Sequence, residues 1–110
     1  MEIKPTYVTF EQAKLLKEKG LDGIQIDYGL NQMLNHAKTP EQWQVCEWLR
    51  VNHGIWVSVA IFVKRDETVV WVYDIYKNNY IIEQFQRSKG FNSPQEAYSA
   101  AFDYILKEMV

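Results

Sequence analysis

Apolar positions along this 110-residue chain follow two periods, and a repeated polar signature marks where each helical stretch begins. Thr9-Phe10-Glu11-Gln12, Thr39-Pro40-Glu41-Gln42 and Ser93-Pro94-Gln95-Glu96 each place a hydroxyl three residues before Gln or Glu. In such a box the hydroxyl accepts from an orphan backbone N–H and the later side chain reaches back to the cap. Proline suits the first helical position, and Glu11, Glu41 and Glu96 complement the helix dipole. The pattern predicts helices over Phe10–Lys19, Pro40–Asn52 and Pro94–Glu108, the first two stopped by Gly20 and Gly54. Ala97, Ala100 and Ala101 in the third would let it lie close to a sheet.

Between the second and third helices the period shortens to two. Ile55–Lys64, Thr68–Lys77 and Tyr80–Gln86 are rich in β-branched and aromatic residues and read as strands. Arg65-Asp66-Glu67 is a polar turn, and Asn78-Asn79 is a two-residue hairpin signal because Asn tolerates positive φ. Ile55, Val57, Val59, Ile61 and Val63 fall on one face of the first strand. The first hairpin's register stays open, since loops of two and three residues send opposite sides of the second strand inward. Within Leu21–Lys38, Ile24–Tyr28 alternates like a short strand and Leu30–Ala37 suits a helical turn, so this stretch reads as extended and then irregular.

The expected fold is α+β in a single domain, 1–110. An N-terminal helix and irregular segment (1–38) precede a helix–meander–helix core (39–110). A three-stranded antiparallel meander packs against helices in two layers, with the N-terminal segment as the candidate cover for the second sheet face. Length suits one domain. A 47% hydrophobic, 15% aromatic composition excludes disorder. The longest predominantly apolar run, Ile55–Val63, is too short to span a bilayer. The opening Met1-Glu2-Ile3-Lys4-Pro5 does not read as a signal peptide, and a single cysteine suits a reducing compartment, so a cytoplasmic location is expected. A net charge of −2 argues against a general nucleic-acid binder.

Candidate chemistry is sparse. Cys46, His36 and His53 do not form the paired ligand spacing of a zinc site, and Cys46 reads as a small core residue. Asp74 and Glu83 would face each other across a two-residue Asn78-Asn79 hairpin, the one arrangement that could raise a carboxyl pKa for acid–base work in a small hydrolase. No serine lies in a G-x-S-x-G context, and five scattered glycines build no phosphate loop. The expectation is a non-enzyme without metal or cofactor.

Aromatic residues stand out instead. Trp56 and Phe62 lie opposite the Val/Ile row of the first strand, joined by Trp71 and Tyr73 or by Val72 and Tyr76 according to register, with Tyr80 at the hairpin end. If uncovered, Trp56, Phe62, Trp71, Tyr73 and Tyr80 would make a patch for a protein partner or a second copy of the chain. Stacking of single-stranded nucleic acid is the alternative use.

The order of elements resembles the double-stranded-RNA-binding domain. That family grips phosphates with lysines at the start of its last helix, where this chain has Ser93-Pro94-Gln95-Glu96-Ala97-Tyr98 with only Arg87 and Lys89 nearby. A wider resemblance lies in Tyr7-Val8-Thr9-Phe10-Glu11-Gln12-Ala13-Lys14-Leu15-Leu16-Lys17-Glu18-Lys19-Gly20, Trp48-Leu49-Arg50, His53-Gly54-Ile55 and Ser93-Pro94-Gln95-Glu96-Ala97. These segments are similar to those of small uncharacterised proteins encoded by phages and mobile elements of gut bacteria. The resemblance implies an accessory context in which small proteins bind and modulate others, and carries over no functional residue.

Overall fold

The computed structural model describes residues 6–21, 40–78, 80–84 and 90–110. The expectations for Ile24–Tyr28, Leu30–Ala37, Thr39, Asn79, His36, Arg87 and Lys89 lie outside the described residues. The elements are α1 (Phe10–Glu18), α2 (Gln42–His53), β1 (Ile55–Val63), β2 (Val69–Lys77), β3 (Tyr80–Gln84) and α3 (Pro94–Glu108).

Two of the three caps form where local chemistry predicts. The Thr9 hydroxyl accepts from Gln12 N, and Gln12 Oε1 accepts from Thr9 N, both at 3.1 Å. Ser93 Oγ accepts from Glu96 N at 3.2 Å, while the Glu96 carboxylate reaches one residue further back, to Asn92 N. The start of α2 differs from expectation. Its cap is Glu41, whose N–H donates to Gln44 Oε1 at 2.8 Å. Pro40 and Gln42 are held by another partner: Val8 N donates to Pro40 O, and Gln42 N donates to Thr6 O. This antiparallel bridge between Tyr7 and Glu41 satisfies an orphan donor of α2 and delays the helix. Gly54 ends α2 in the left-handed conformation, φ 65°.

The expected three-stranded meander is corrected. The regular sheet is the two-stranded antiparallel β1–β2 ribbon, paired at every position from Ile55↔Lys77 to Val63↔Val69. The strand order is β1-β2-β3, yet β3 adds only Lys77↔Tyr80 and Tyr76↔Ile81 before the register shifts to Ile75↔Glu83 and Asp74↔Gln84. Beyond that, among the described residues, Phe91 alone returns to the same edge, exchanging both backbone hydrogen bonds with Trp71.

The first hairpin has a three-residue loop. Lys64 N donates to Thr68 O, Glu67 N donates to Lys64 O, and Glu67 takes φ +70°. This register puts Val57, Val59 and Ile61 on the same face as Ile75, Tyr73 and Trp71. The core is built on that face from Ile55, Tyr73 and Ile75 with Val45 and Leu49 of α2 and Ala101, Phe102, Ile105 and Leu106 of α3. Ala97 and Ala101 are fully buried, as close helix–sheet packing requires. The N-terminal helix does not cover the second face: α1 packs on α3, and its Leu16 joins the same core.

The ribbon outreaches the helices. Nine strand residues extend about 30 Å, whereas the 15 residues of α3 extend about 22 Å. Ile61, Val63 and Val69 are therefore each 55% exposed, although their parity matches the buried Ile55.

Candidate binding face

The register settles which aromatics share a surface. Trp56, Ser58, Ala60 and Phe62 stand opposite Tyr76, Asp74, Val72 and Val70 on the face turned away from the helices. Trp71 and Tyr73 fall on the helix side, where Tyr73 is 7% exposed and stacks on Phe91 with 6.2 Å between ring centroids. Tyr80 is placed beside Lys77, in the register row of Ile55. Trp56, Phe62, Trp71 and Tyr73 thus divide between two faces. Only Trp56 and Phe62 stand together on the far one.

That face is not open along its whole length. Val70 and Val72 are buried, and the backbone of Gly90 lies directly against Val70. Beside the exposed small residues Ser58 and Ala60, the open part with large side chains is the row Trp56–Tyr76–Ile81, one residue from each strand. Trp56 is 54% and Ile81 56% exposed, with half-buried Tyr76 between them. A shallow depression of about 370 Å³ is lined by Trp56, Val57, Ser58 and Tyr76.

Helix α2 adds a cation to this row. Turning at Gly54, the chain brings the Arg50 guanidinium to 5.4 Å from the centre of the Trp56 ring. Arg50 also donates to both carboxylate oxygens of Glu47, at 2.8 and 3.3 Å. Hydrogen bonding from Arg50, reinforced by its charge, holds the Glu47 carboxyl below its ordinary pKa. The guanidinium is thus oriented from one side by Glu47 and offers the other to Trp56. Sequence inspection could flag the Glu47–Arg50 spacing as an i,i+3 pair. It could not show that the pair reaches β1 around the Gly54 turn.

The remaining candidates disperse. The bulge between Ile75 and Tyr76 places Glu83 opposite Ile75 and Asp74 opposite Gln84, so Asp74 and Glu83 are not cross-strand partners in the register. His53 packs its ring edge against Trp48, centroids 4.8 Å apart. Among the described residues no three of His, Cys, Asp and Glu gather as a metal site would require. Cys46 packs beside the core, and burial, aided by the charge of Glu47, pushes its thiol up to about 11. Only the thiolate is nucleophilic. Alkylation of Cys46 by iodoacetamide at pH 8 is therefore expected to run about 100-fold slower in the folded chain than in urea, and to accelerate until the pH nears 11. Equal rates in the two states would show the thiol to be open.

Comparison with protein-family models, with curated proteins and with solved structures finds no match for the chain. No described helix is long and apolar enough to cross a membrane.

Proposed function

We propose that this protein is a non-enzymatic binding module of accessory type, and that its contact surface is the Trp56–Tyr76–Ile81 row with Arg50. The observation that carries the reading is a half-exposed tryptophan at the end of the β1–β2 ribbon, with an oriented guanidinium over its ring. Trp, Tyr and Arg are the residue types that dominate protein interface energies. A protein partner suits the row better than nucleic acid, because Arg50 is already engaged by Glu47 and the chain carries a net charge of −2.

The test is capture from a native lysate with the tagged chain, with and without nuclease, beside a Trp56→Ala variant. The expected result is a stoichiometric protein that survives nuclease and whose retention falls about tenfold or more in the variant, as at an interface hot spot. Melting should change little, because Trp56 is exposed. Captured material that vanishes with nuclease would replace this reading by nucleic-acid stacking.

A further inference from the structure

The outer edge of β1 points to a second binding mode, independent of the face reading. In the first hairpin Lys64 N donates to Thr68 O, so the alternate residues Phe62, Ala60, Ser58 and Trp56 direct their backbone groups at β2. The N–H and C=O groups of Val57, Val59, Ile61 and Val63 then point outward. Among the described residues no strand pairs with that edge. Sheets ordinarily blunt a long edge with lysine, proline, an inward charge or a bulge. The nine residues of β1, Ile-Trp-Val-Ser-Val-Ala-Ile-Phe-Val, contain none of these, and their pairing with β2 is unbroken.

The strand also reads alike in both directions about Val59. Ile55 corresponds to Val63, Trp56 to Phe62, Val57 to Ile61 and Ser58 to Ala60. We infer that β1 is a self-recognition edge, and that two copies of the chain pair antiparallel through it with the two-fold axis at Val59.

Every position of such a pairing is matched in class. Val57 of each copy meets Ile61 of the other, which takes a 55% exposed isoleucine out of water. On the far face Trp56 meets Phe62, an aromatic cross-strand pair. The small, exposed Ser58 and Ala60 meet each other without crowding. Centring on Val59 pairs all nine residues with their outward backbone groups facing, whereas an axis at Ser58 or Ala60 leaves two residues over and breaks the match. The same operation brings Lys64 of one copy beside Gly54 of the other, at the carboxyl end of α2, where the helix dipole favours a cation. No like charges are opposed along the strand. The product is one continuous sheet carrying two Trp56–Tyr76–Ile81 rows.

The test is sedimentation equilibrium from micromolar to near-millimolar concentration, combined with directed cross-linking. Wild type should show a monomer–dimer equilibrium. Ile61→Lys, a change at an exposed position, should keep the far-UV spectrum and melting temperature but weaken dimerisation about 100-fold or more. In a Cys46→Ser background, chains carrying Ser58→Cys should cross-link with chains carrying Ala60→Cys faster than either does with itself. These positions form a pair about 4.5 Å apart in Cα, within disulfide reach. Ile81→Lys, off the edge, should leave dimerisation unchanged while cutting capture of a lysate partner. A monomer throughout the range, a dimer indifferent to Ile61→Lys, or a dimer dissolved by Ile81→Lys would each overturn the inference. A normal dimer without a lysate partner would remove only the face reading.

Discussion

Replacing Gln12 by leucine is expected to remove about 2–4 kcal/mol of folding stability, a melting-point drop on the order of 10–20 °C. Gln12 is fully buried, and its amide is the polar joint between α1 and α3. Its Oε1 accepts from Thr9 N, closing the cap of α1. Its Nε2 donates to Ser99 O at 2.8 Å, to Asp103 Oδ1 at 3.0 Å and to Ser99 Oγ at 3.1 Å. Leucine nearly fills the same volume, so the loss is polar rather than a cavity: a cap N–H and several acceptors of α3 are left without their partner. Buried groups orphaned in this way cost about 1–3 kcal/mol each before relaxation, and α3's groups regain some water. Gln12→Glu makes the sharper test. It keeps the acceptor for Thr9 but aims an acceptor where the donor stood, at Asp103. That variant should be less stable than the leucine variant near neutral pH and should recover as the pH falls and the new carboxyl protonates. Urea denaturation at two pH values reads both effects. A loss below about 0.5 kcal/mol for Gln12→Leu would show that the joint is replaceable by packing alone.

The second large effect is expected at Gly90. Its φ is +72°, and a Cβ built there would lie 2.4 Å from both Cβ and Cγ2 of Val70. Gly90→Ala therefore combines left-handed backbone strain with overpacking against a buried strand residue, together about 2–4 kcal/mol. Gly20 is the control. It too has positive φ, +104°, but nothing lies within 4 Å of its missing Cβ, so Gly20→Ala should show the backbone cost of about 1–2 kcal/mol alone. The steric part is separable, since adding Val70→Ala to Gly90→Ala should restore more stability than strict additivity allows. Equal losses at the two glycines, with no coupling to Val70, would mean that the chain near Gly90 shifts freely.

What was legible in the sequence was local. The caps of α1 and α3 rest on side chains three residues from their targets, and the stop of α2 on the freedom of Gly54 to take positive φ, so composition and spacing show them directly. The α2 helix starts later than the Thr39–Gln42 spacing predicts because Thr6 and Val8, far away along the chain, occupy the backbone groups of Gln42 and Pro40. The first hairpin's register was hidden for a related reason. No glycine marks its left-handed position, which Glu67 fills, and so nothing chose between two- and three-residue loops. That one choice moved Trp71 and Tyr73 to the helix side. In the second hairpin Asn78 takes its expected positive φ, 54°, yet the bulge that parts Asp74 from Glu83 has no signal in residue type. The open row was half visible. Trp56 stands out by residue type alone, but Ile81 and the reach of Arg50 depend on pairing and on the direction in which α2 turns.

The joint at Gln12 also sets an order of events during synthesis. Its partners Ser99 and Asp103 lie 87 and 91 residues downstream. At translation speeds of about 5–20 residues per second, α1 waits roughly 4–18 s for the side chains that hold it. A nine-residue helix is too short to persist alone in water. The first helix of the chain is thus among the last parts to become stable. Until then the apolar Leu16 and the capping glutamine are open to chaperones and proteases, and a ribosome that stalls before Ser99 leaves a product in which Thr6 and Val8 can still bridge to the start of α2 but α1 lacks its α3 partner.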